Sequence, residues 1–125
     1  MPVGHVVTGI LGVTKVWENE LVNGLGYIYS QIYKIESNQV CGVWVQATSV
    51  AGVPSLDCRI QQSFDTTEAN FVTPEAAPDV FTTLADELPH IYTVIPYPMS
   101  YLRFEVAGDG ANPIDTLFTM YLFLQ

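Results

Sequence analysis

The chain has 125 residues, of which 49% are hydrophobic and only 14% charged, and its 13 acidic side chains outnumber four basic ones to give a net charge of -9. Binding a phosphate backbone requires clustered Lys and Arg, so this charge argues against a nucleic-acid partner and against an anionic membrane surface. The apolar runs fall short of the roughly 18 residues that a membrane-spanning helix needs, and the length suits one domain.

Segments of alternating polarity indicate strands, and Gly and Pro separate them about every eight to twelve residues, as in β-sandwiches and barrels. No segment has the periodicity of a long amphipathic helix. The predicted strands are, in chain order, 6–13, 27–35, 40–48, 56–64, 91–95, 101–106 and 116–124, with short edge strands at 71–73 and 80–82. The pattern therefore predicts an all-β protein built as an antiparallel β-sandwich.

The first 25 residues, with Gly at positions 4, 9, 12 and 24, are predicted as either a core strand or an extended arm that reaches a neighbour, and 26–125 as the sandwich domain. The opening MPVGHVVTGILGV has no basic residue before its apolar run and no clear small-residue cleavage site. Such a start is not typical of a secretory signal, and synthesis in a cytoplasm is therefore predicted.

The segment SVAGVPS carries the Gly and Pro of a hairpin loop and predicts that strands 40–48 and 56–64 pair around Ala51. That register places Val45 opposite Cys58 and leaves Cys41 several residue pairs from Cys58. Because a disulfide needs Cα atoms within about 7 Å, two free, buried thiols are expected.

The region 65–90 contains three prolines and few strand-like runs, and it is predicted as a long excursion over the surface. Within it, TTLADEL is predicted to form one helical turn, capped by Thr82 or Thr83. The Gly-rich AGDGANP is predicted to join the last two strands as a second hairpin.

The last strand, DTLFTMYLFLQ, is unusual because both of its faces are apolar. Phe118, Met120, Leu122 and Leu124 form one alternate set, and Leu117, Thr119, Tyr121 and Phe123 form the other. A strand with one solvent-exposed face carries polar residues at every second position. Something other than water is therefore expected to cover the second face, and a neighbouring subunit is the predicted cover.

Metal and cofactor chemistry finds little support in the sequence. His5 and His90 are the only histidines, and the spacing of Glu87 and His90 in ELPH would need a helix, which Pro89 prevents. Asp109, Asn112 and Asp115 offer oxygen atoms for calcium but lack the alternating ligands and the terminal Glu of the helix-loop-helix motif. No metal, no cofactor and no catalytic residue is predicted.

Catalysis by a serine nucleophile is also disfavoured, because no Gly-x-Ser-x-Gly elbow surrounds any serine. Aromatic side chains at strand positions are more often core or interface anchors than sugar platforms. Trp44, Tyr97 and Tyr101 are therefore assigned first to contact with protein and second to glycan stacking. The protein is not expected to be an enzyme.

Two segments carry a family resemblance. VWVQATSVAGVPSLDCRIQQSFDTTEANFVTP resembles small tailed-phage virion proteins, notably head decoration and accessory proteins, and YPMSYLRFEVAGDGANPIDTLFTMYLFLQ resembles their closing hairpin. Here Asp65-Thr66 replaces the usual Asp-Gly after the serine. The resemblance covers about half of the chain and implies a jelly-roll-like sandwich added to a capsid or another virion surface, without catalysis.

The function predicted from the sequence is therefore that of a virion structural protein, a capsid decoration protein that binds itself and a major capsid or other virion protein. The predicted interface residues are Leu117, Tyr121, Phe123, Trp44, Tyr97 and Tyr101. One alternative is a carbohydrate-binding module or fibre head that uses Trp44 and the latter two tyrosines. Another is a filament assembled by strand exchange of residues 1–25.

Overall fold

The computed structural model describes residues 6–7, 12–24, 26–35, 41–49, 54–74, 79–84, 86–94, 99–108 and 115–124. Within these ranges the chain forms ten strands: β1 (Val6–Val7), β2 (Gly12–Val22), β3 (Ile28–Tyr29), β4 (Ile32–Lys34), β5 (Cys41–Ser49), β6 (Leu56–Ser63), β7 (Asp79–Leu84), β8 (His90–Val94), β9 (Tyr101–Gly108) and β10 (Thr116–Leu124). A 3-10 turn, Glu68–Asn70, lies between β6 and β7. No helix in the described part of the chain has the length and hydropathy to cross a membrane.

The strands form two sheets that pack face to face. Sheet 1 has the order β1-β4-β9-β6-β7, with β3 also paired to β9, and sheet 2 has the order β2-β10-β5-β8. All strand pairs are antiparallel except β1 with β4. The predicted antiparallel β-sandwich is confirmed.

The path of the chain between the sheets is that of a jelly roll. After β2 the chain crosses from sheet 2 to sheet 1, returns for β5, crosses again for β6 and β7, and then alternates through β8, β9 and β10. A chain that winds between two antiparallel sheets in this way is typical of a jelly roll. The sandwich is therefore jelly-roll-like, as predicted.

Both predicted hairpins are wrong, because the strands on either side of each loop belong to different sheets. β5 pairs with β10 and β8, so Val45 faces Met120 and His90 rather than Cys58. β6 pairs with β9 and β7, and β9 does not pair with β10. Gly and Pro identify a reversal of the chain but do not distinguish a hairpin within a sheet from an arch between sheets.

The two thiols are free and buried, as predicted, although the reason differs. Cys41 lies in sheet 2 and Cys58 in sheet 1. Burial raises the pKa of Cys41 to about 12 and holds the pKa of Cys58 well above its usual value.

Two local predictions also need correction. The predicted helical turn in TTLADEL is wrong, since Thr82 to Leu84 belong to strand β7. The edge strand predicted at 71–73 is reduced to a single bridge between Val72 and Gln62. Of the first 25 residues, β2 is an edge strand of sheet 2, paired along its length with β10.

The core lies between the sheets and contains the inward set of β10. Phe118, Met120, Leu122 and Leu124 are fully buried. The ring of Phe118 packs at 5.8 Å from that of Trp17 and at 6.0 Å from that of Phe81, measured between centroids. Each such side chain contributes about 1.5–3 kcal/mol on burial, so β10 anchors the sandwich.

Candidate functional site

The outward side chains of β10 and β5 form the centre of an exposed sheet surface. The register places Leu117 beside Thr48, Tyr121 beside Trp44, and Phe123 beside Gly42. These positions alternate with the buried core positions of both strands, so they point away from the sandwich. Leu117, Tyr121, Phe123 and Trp44 are each partly exposed.

The flanking strands extend this surface with further apolar side chains. On β2, Val13 lies beside Phe123 and Leu21 lies beside Leu117. On β8, Ile91 lies beside Trp44. Val13 is 68% exposed and Ile91 is 70% exposed. The outer face of sheet 2 is defined here by Val13, Leu21, Leu117, Thr119, Tyr121, Phe123, Gly42, Trp44, Gln46, Thr48, Ile91 and Thr93.

The aromatic rings on this face are held in fixed relation to one another. The rings of Trp44 and Tyr121 meet edge to face, with centroids 5.9 Å apart and planes at 65°. The ring of Phe123 occupies the space that a side chain at position 42 would fill: a Cβ placed on Gly42 would lie 2.6 Å from Cζ of Phe123. Gly42 therefore leaves room for the phenyl ring against the backbone of the neighbouring strand.

Charge is distributed unevenly between the centre and the rim of this face. β5 and β10 contain no charged residue. At the rim, Nζ of Lys15 on β2 pairs with the Glu18 carboxylate at 3.0 Å. At one end, the Glu87 carboxylate accepts a hydrogen bond from the backbone N–H of Ser49, and Nε2 of Gln46 donates to the carbonyl oxygen of Glu87. An apolar, aromatic centre inside a polar rim is typical of protein interfaces.

The outer face of sheet 1 is of a different kind, since its charges are paired. Arg103 is only 6% exposed, and its guanidinium carbon lies 4.3 Å from the ring centre of Tyr29 and 4.7 Å from that of Phe71. Its Nη1 donates to Glu68 at 2.7 Å and its Nε to Gln61 at 2.8 Å. These contacts fasten the 3-10 turn and Phe71 onto the sheet.

A second paired group lies beside the first. The hydroxyl of Tyr27 accepts from Nε of Arg59 at 2.7 Å and donates to the Asp57 carboxylate at 2.8 Å. Nε of Arg59 also lies 3.9 Å from a carboxylate oxygen of Glu105, whose pKa is raised by burial. Burial and the bond to Asp57 raise the pKa of Tyr27 to about 12. These groups hold one another and stabilise sheet 1.

The structure brings together four of the six residues predicted as an interface. Leu117, Tyr121, Phe123 and Trp44 share the outer face of sheet 2. Tyr101 lies at the start of β9, in sheet 1, and Tyr97 lies outside the described residues. Tyr101 and Trp44, two of the three aromatic residues assigned to glycan stacking, therefore do not share a face.

Sequence reasoning missed the flanking part of the face. Val13 and Ile91 come from strands at opposite edges of sheet 2, and Gly42 is significant only because Phe123 lies over it. Strand order brings these residues together, and alternation within a strand does not reveal strand order.

No metal site is present among the residues that the structure describes, where no group of three or more His, Cys, Asp or Glu side chains could hold an ion. Nε2 of His90 lies 2.8 Å from the Asp86 carboxylate, and this bond lowers the pKa of Asp86. Of the three loop residues weighed for calcium, Asp115 is exposed, and Asp109 and Asn112 lie outside the described residues.

Comparisons with known proteins agree with the fold. The sequence matches no protein-family model and no curated protein. A chain in the structure of infectious bursal disease virus, Gx strain, is similar with a TM-score of 0.54 at 13% identity, over 88% of this chain and 30% of that chain. A chain from the Gt strain of that virus gives a TM-score of 0.48 at 15% identity, over 88% of this chain and 32% of that one.

A third similar structure is the carbohydrate-binding module CBM36 in complex with calcium and xylotriose, with a TM-score of 0.46 at 13% identity, over 94% of this chain and 91% of that module. This chain thus spans about a third of the length of the viral chains. The similarity to the Gx-strain chain shows a shared fold alone, and one fold can host many functions. None of these three structures is described as a tailed-phage protein.

Proposed function

We propose that this protein is a non-enzymatic structural component of a virion, a subunit that buries the outer face of sheet 2 in contact with protein. The observation that carries the proposal is the partly exposed row of Leu117, Tyr121 and Phe123 beside Trp44. A fully exposed face would be expected to carry polar side chains, whereas a core would be sealed. Partial exposure of aromatic residues in a fixed arrangement suits a surface that is completed on assembly.

Burial of this face supplies the free energy of association. Complete burial of a side chain such as Ile91, now 70% exposed, gains about 1–2 kcal/mol, and aromatic residues contribute more. Part of this gain offsets the lost translational and rotational freedom of the subunit. Several such residues in one contiguous area are therefore needed, and the outer face of sheet 2 provides them.

The assignment to a virion is supported by two further observations. The fold is shared with a chain in the structure of infectious bursal disease virus. Two sequence segments, together about half of the chain, resemble tailed-phage head decoration and accessory proteins. A decoration protein needs surfaces for its own copies and for the shell, and the low charged fraction of 14% is typical of a subunit with much surface in contact.

The proposal is tested by the mass of purified protein in solution, measured by light scattering with and without a candidate shell protein. Ile91→Asp places a carboxylate in the face, and Phe64→Asp makes the same change at a site outside sheet 2 that is 66% exposed. We expect wild type and Phe64→Asp to associate alike and Ile91→Asp to associate less. If both variants behave as wild type in every mixture, the face is not an interface.

The glycan hypothesis is tested on the same preparation by tryptophan-fluorescence titration with oligosaccharides. Trp44 lies within the face and is partly exposed, so a stacked sugar would alter its emission. Saturable binding that Ile91→Asp abolishes, without any protein association, would overturn the structural role.

A further inference from the structure

We infer that the occupant of the outer face of sheet 2 is a second copy of this chain, stacked on it face to face across a two-fold axis. This inference rests on the proposed function, in that it takes the face to be a protein contact. It goes further by naming the partner and the mode of contact, which is sheet on sheet and not edge to edge.

Electrostatics favour this partner. Each copy carries a net charge of -9, so two copies repel wherever acidic surfaces would meet. The central strands of sheet 1 carry charges of both signs, Asp57 and Arg59 on β6 and Arg103 and Glu105 on β9, whereas β5 and β10 at the centre of sheet 2 carry no charge. Contact through the centre of sheet 2 therefore brings no like charges together. A partner that fits this neutral face is itself uncharged at the centre of its contact surface. A second copy of this chain offers such a surface.

The rim is also self-complementary. Lys15 and Glu18 form an ion pair at the β2 edge, where both side chains are about half exposed. Across a two-fold axis, a contact between two different residues occurs twice, once in each direction. Lys15 of each copy can therefore pair with Glu18 of the other. Because this edge carries one positive and one negative charge, it can contact an identical edge of a second copy.

The side-chain sizes on the outer face of sheet 2 suit the stacking of one sheet on another. Stacked sheets lie about 10 Å apart, and their side chains interdigitate. Large residues on this face stand beside smaller ones: Leu117 beside Thr48, and Tyr121 beside Thr119 along β10. Such differences in side-chain size allow the side chains of a second copy to interdigitate with these.

The β2 edge of sheet 2, in contrast, is protected against pairing. The register between β10 and β2 shifts on both sides of Met120, and Asn19 has a left-handed φ of 49°. Bulges and charged side chains on an edge strand prevent another strand from adding to it, and β2 has both, with Glu18 and Glu20 exposed. Contact through the face therefore prevails over strand addition at this edge.

The first experiment measures the mass of the purified full-length chain alone by sedimentation equilibrium. We expect a dimer for wild type and for Phe64→Asp. We expect Ile91→Asp to raise the dimer dissociation constant by about tenfold or more, because each copy then buries a carboxylate in an apolar contact. Circular dichroism and thermal unfolding of each variant verify that it folds.

The second experiment locates the contact by cross-linking. Cys41 and Cys58 are buried, so a thiol added at the surface is selectively reactive. Thr48→Cys and Thr93→Cys place thiols at exposed positions on the face, and Ala69→Cys places one on the exposed 3-10 turn of the opposite side. With a bismaleimide of about 10 Å span, matched to the spacing of stacked sheets, we expect dimers from the first two variants and not from the third.

The outcomes separate this inference from the proposed function. A wild-type chain that stays monomeric while binding shell protein, with Ile91→Asp abolishing that binding, overturns the inference and keeps the function. A dimer that cross-links through Ala69→Cys and tolerates Ile91→Asp overturns the face-to-face mode. A monomer that binds no shell protein overturns both.

Discussion

The phenyl ring of Phe123 on β10 lies across the backbone of Gly42 on β5, in space that any other residue at position 42 would fill. Gly42 is buried and its φ is not positive, so sterics and not backbone strain require glycine here. The ring therefore covers the strand at Gly42 and adds aromatic surface to the outer face of sheet 2.

Gly42→Ala is expected to displace the Phe123 ring and to destabilise the fold by about 1–3 kcal/mol, the usual cost of overpacking. The carbonyl oxygen of Tyr92, at 3.2 Å from the new methyl group, is backbone and cannot move aside easily. Urea unfolding measures the loss. In a Phe123→Ala background the same substitution should cost about 1 kcal/mol less, and equal costs in both backgrounds would contradict the proposed contact.

A buried hydroxyl gives the second prediction. Tyr33 is 0% exposed, its hydroxyl has no hydrogen-bond partner among the described residues, and burial raises its pKa to about 12. Tyr33→Phe removes a polar group that has lost its water without regaining a bond, so stability should be unchanged or rise by about 1 kcal/mol.

The matched control for that substitution is Tyr27→Phe. The hydroxyl of Tyr27 bonds both Arg59 and Asp57, so its removal should cost about 1–3 kcal/mol. Thermal unfolding of both variants supplies the comparison. A large loss in Tyr33→Phe would show that the Tyr33 hydroxyl has a bonded partner.

Strands β10 and β2 show how much of the fold could be predicted from the sequence. Strict alternation in β10 identified its bounds and its two faces correctly, because period 2 follows from strand geometry alone. Strand β2 was missed because Trp17 and Val22 are both buried although five positions apart, an odd spacing that a regular strand cannot give. The bulge opposite Met120 explains how both side chains can be buried, and no pattern in the sequence predicts this bulge.

The outer face of sheet 2 was predictable only in its central strand. Leu117, Tyr121 and Phe123 follow from alternation, whereas Val13 and Ile91 join them through strand order, which depends on how the chain crosses between sheets. The error at the loops had the same origin. A loop of several residues containing Gly and Pro satisfies both a hairpin and an arch.

The Arg103 contacts lead to a third prediction. Arg103→Lys keeps the charge but loses the planar group that stacks between Tyr29 and Phe71, and an ammonium cannot reproduce both bonds to Glu68 and Gln61. Stability should fall by about 1–3 kcal/mol, and limited proteolysis should become faster within the segment that follows β6.

Lys15→Arg is the control for Arg103→Lys, because the ion pair of Lys15 with Glu18 is exposed and contributes little to stability. If both substitutions have equally small effects, Arg103 does not fasten the segment.

The loop after β6 gives a prediction on pH. Asp65 accepts hydrogen bonds from Asn70 and from Thr67 and Ser63, and these bonds, that of Asn70 above all, lower its pKa from the ordinary 3.8. A carboxylate with a lowered folded-state pKa stabilises the protein fully above its unfolded-state pKa, and the stabilisation is lost as pH falls through the folded-state pKa. Stability should therefore decline below about pH 4.

Chemical unfolding between pH 7 and about pH 2.5 tests this, with Asp65→Asn as the comparison. The variant should be less stable at pH 7 and should approach wild type at the acidic end of the range. Parallel curves for the two proteins, with a constant gap, would show that Asp65 does not titrate in this way.

The proposed self-association of this chain should strengthen as the salt concentration rises. Two copies of charge -9 repel over distances comparable with the Debye length of about 10 Å at 0.1 M salt, whereas the contact between apolar faces is not weakened by screening. Raising NaCl from about 0.05 to 0.5 M should therefore lower the dimer dissociation constant measured by sedimentation. Association held together by attraction between opposite charges would give the opposite trend. Ile91→Asp adds one more negative charge at the contact, so its association should depend on salt more steeply than that of wild type, and a dissociation constant that rises with salt in both proteins would exclude stacking through the neutral face.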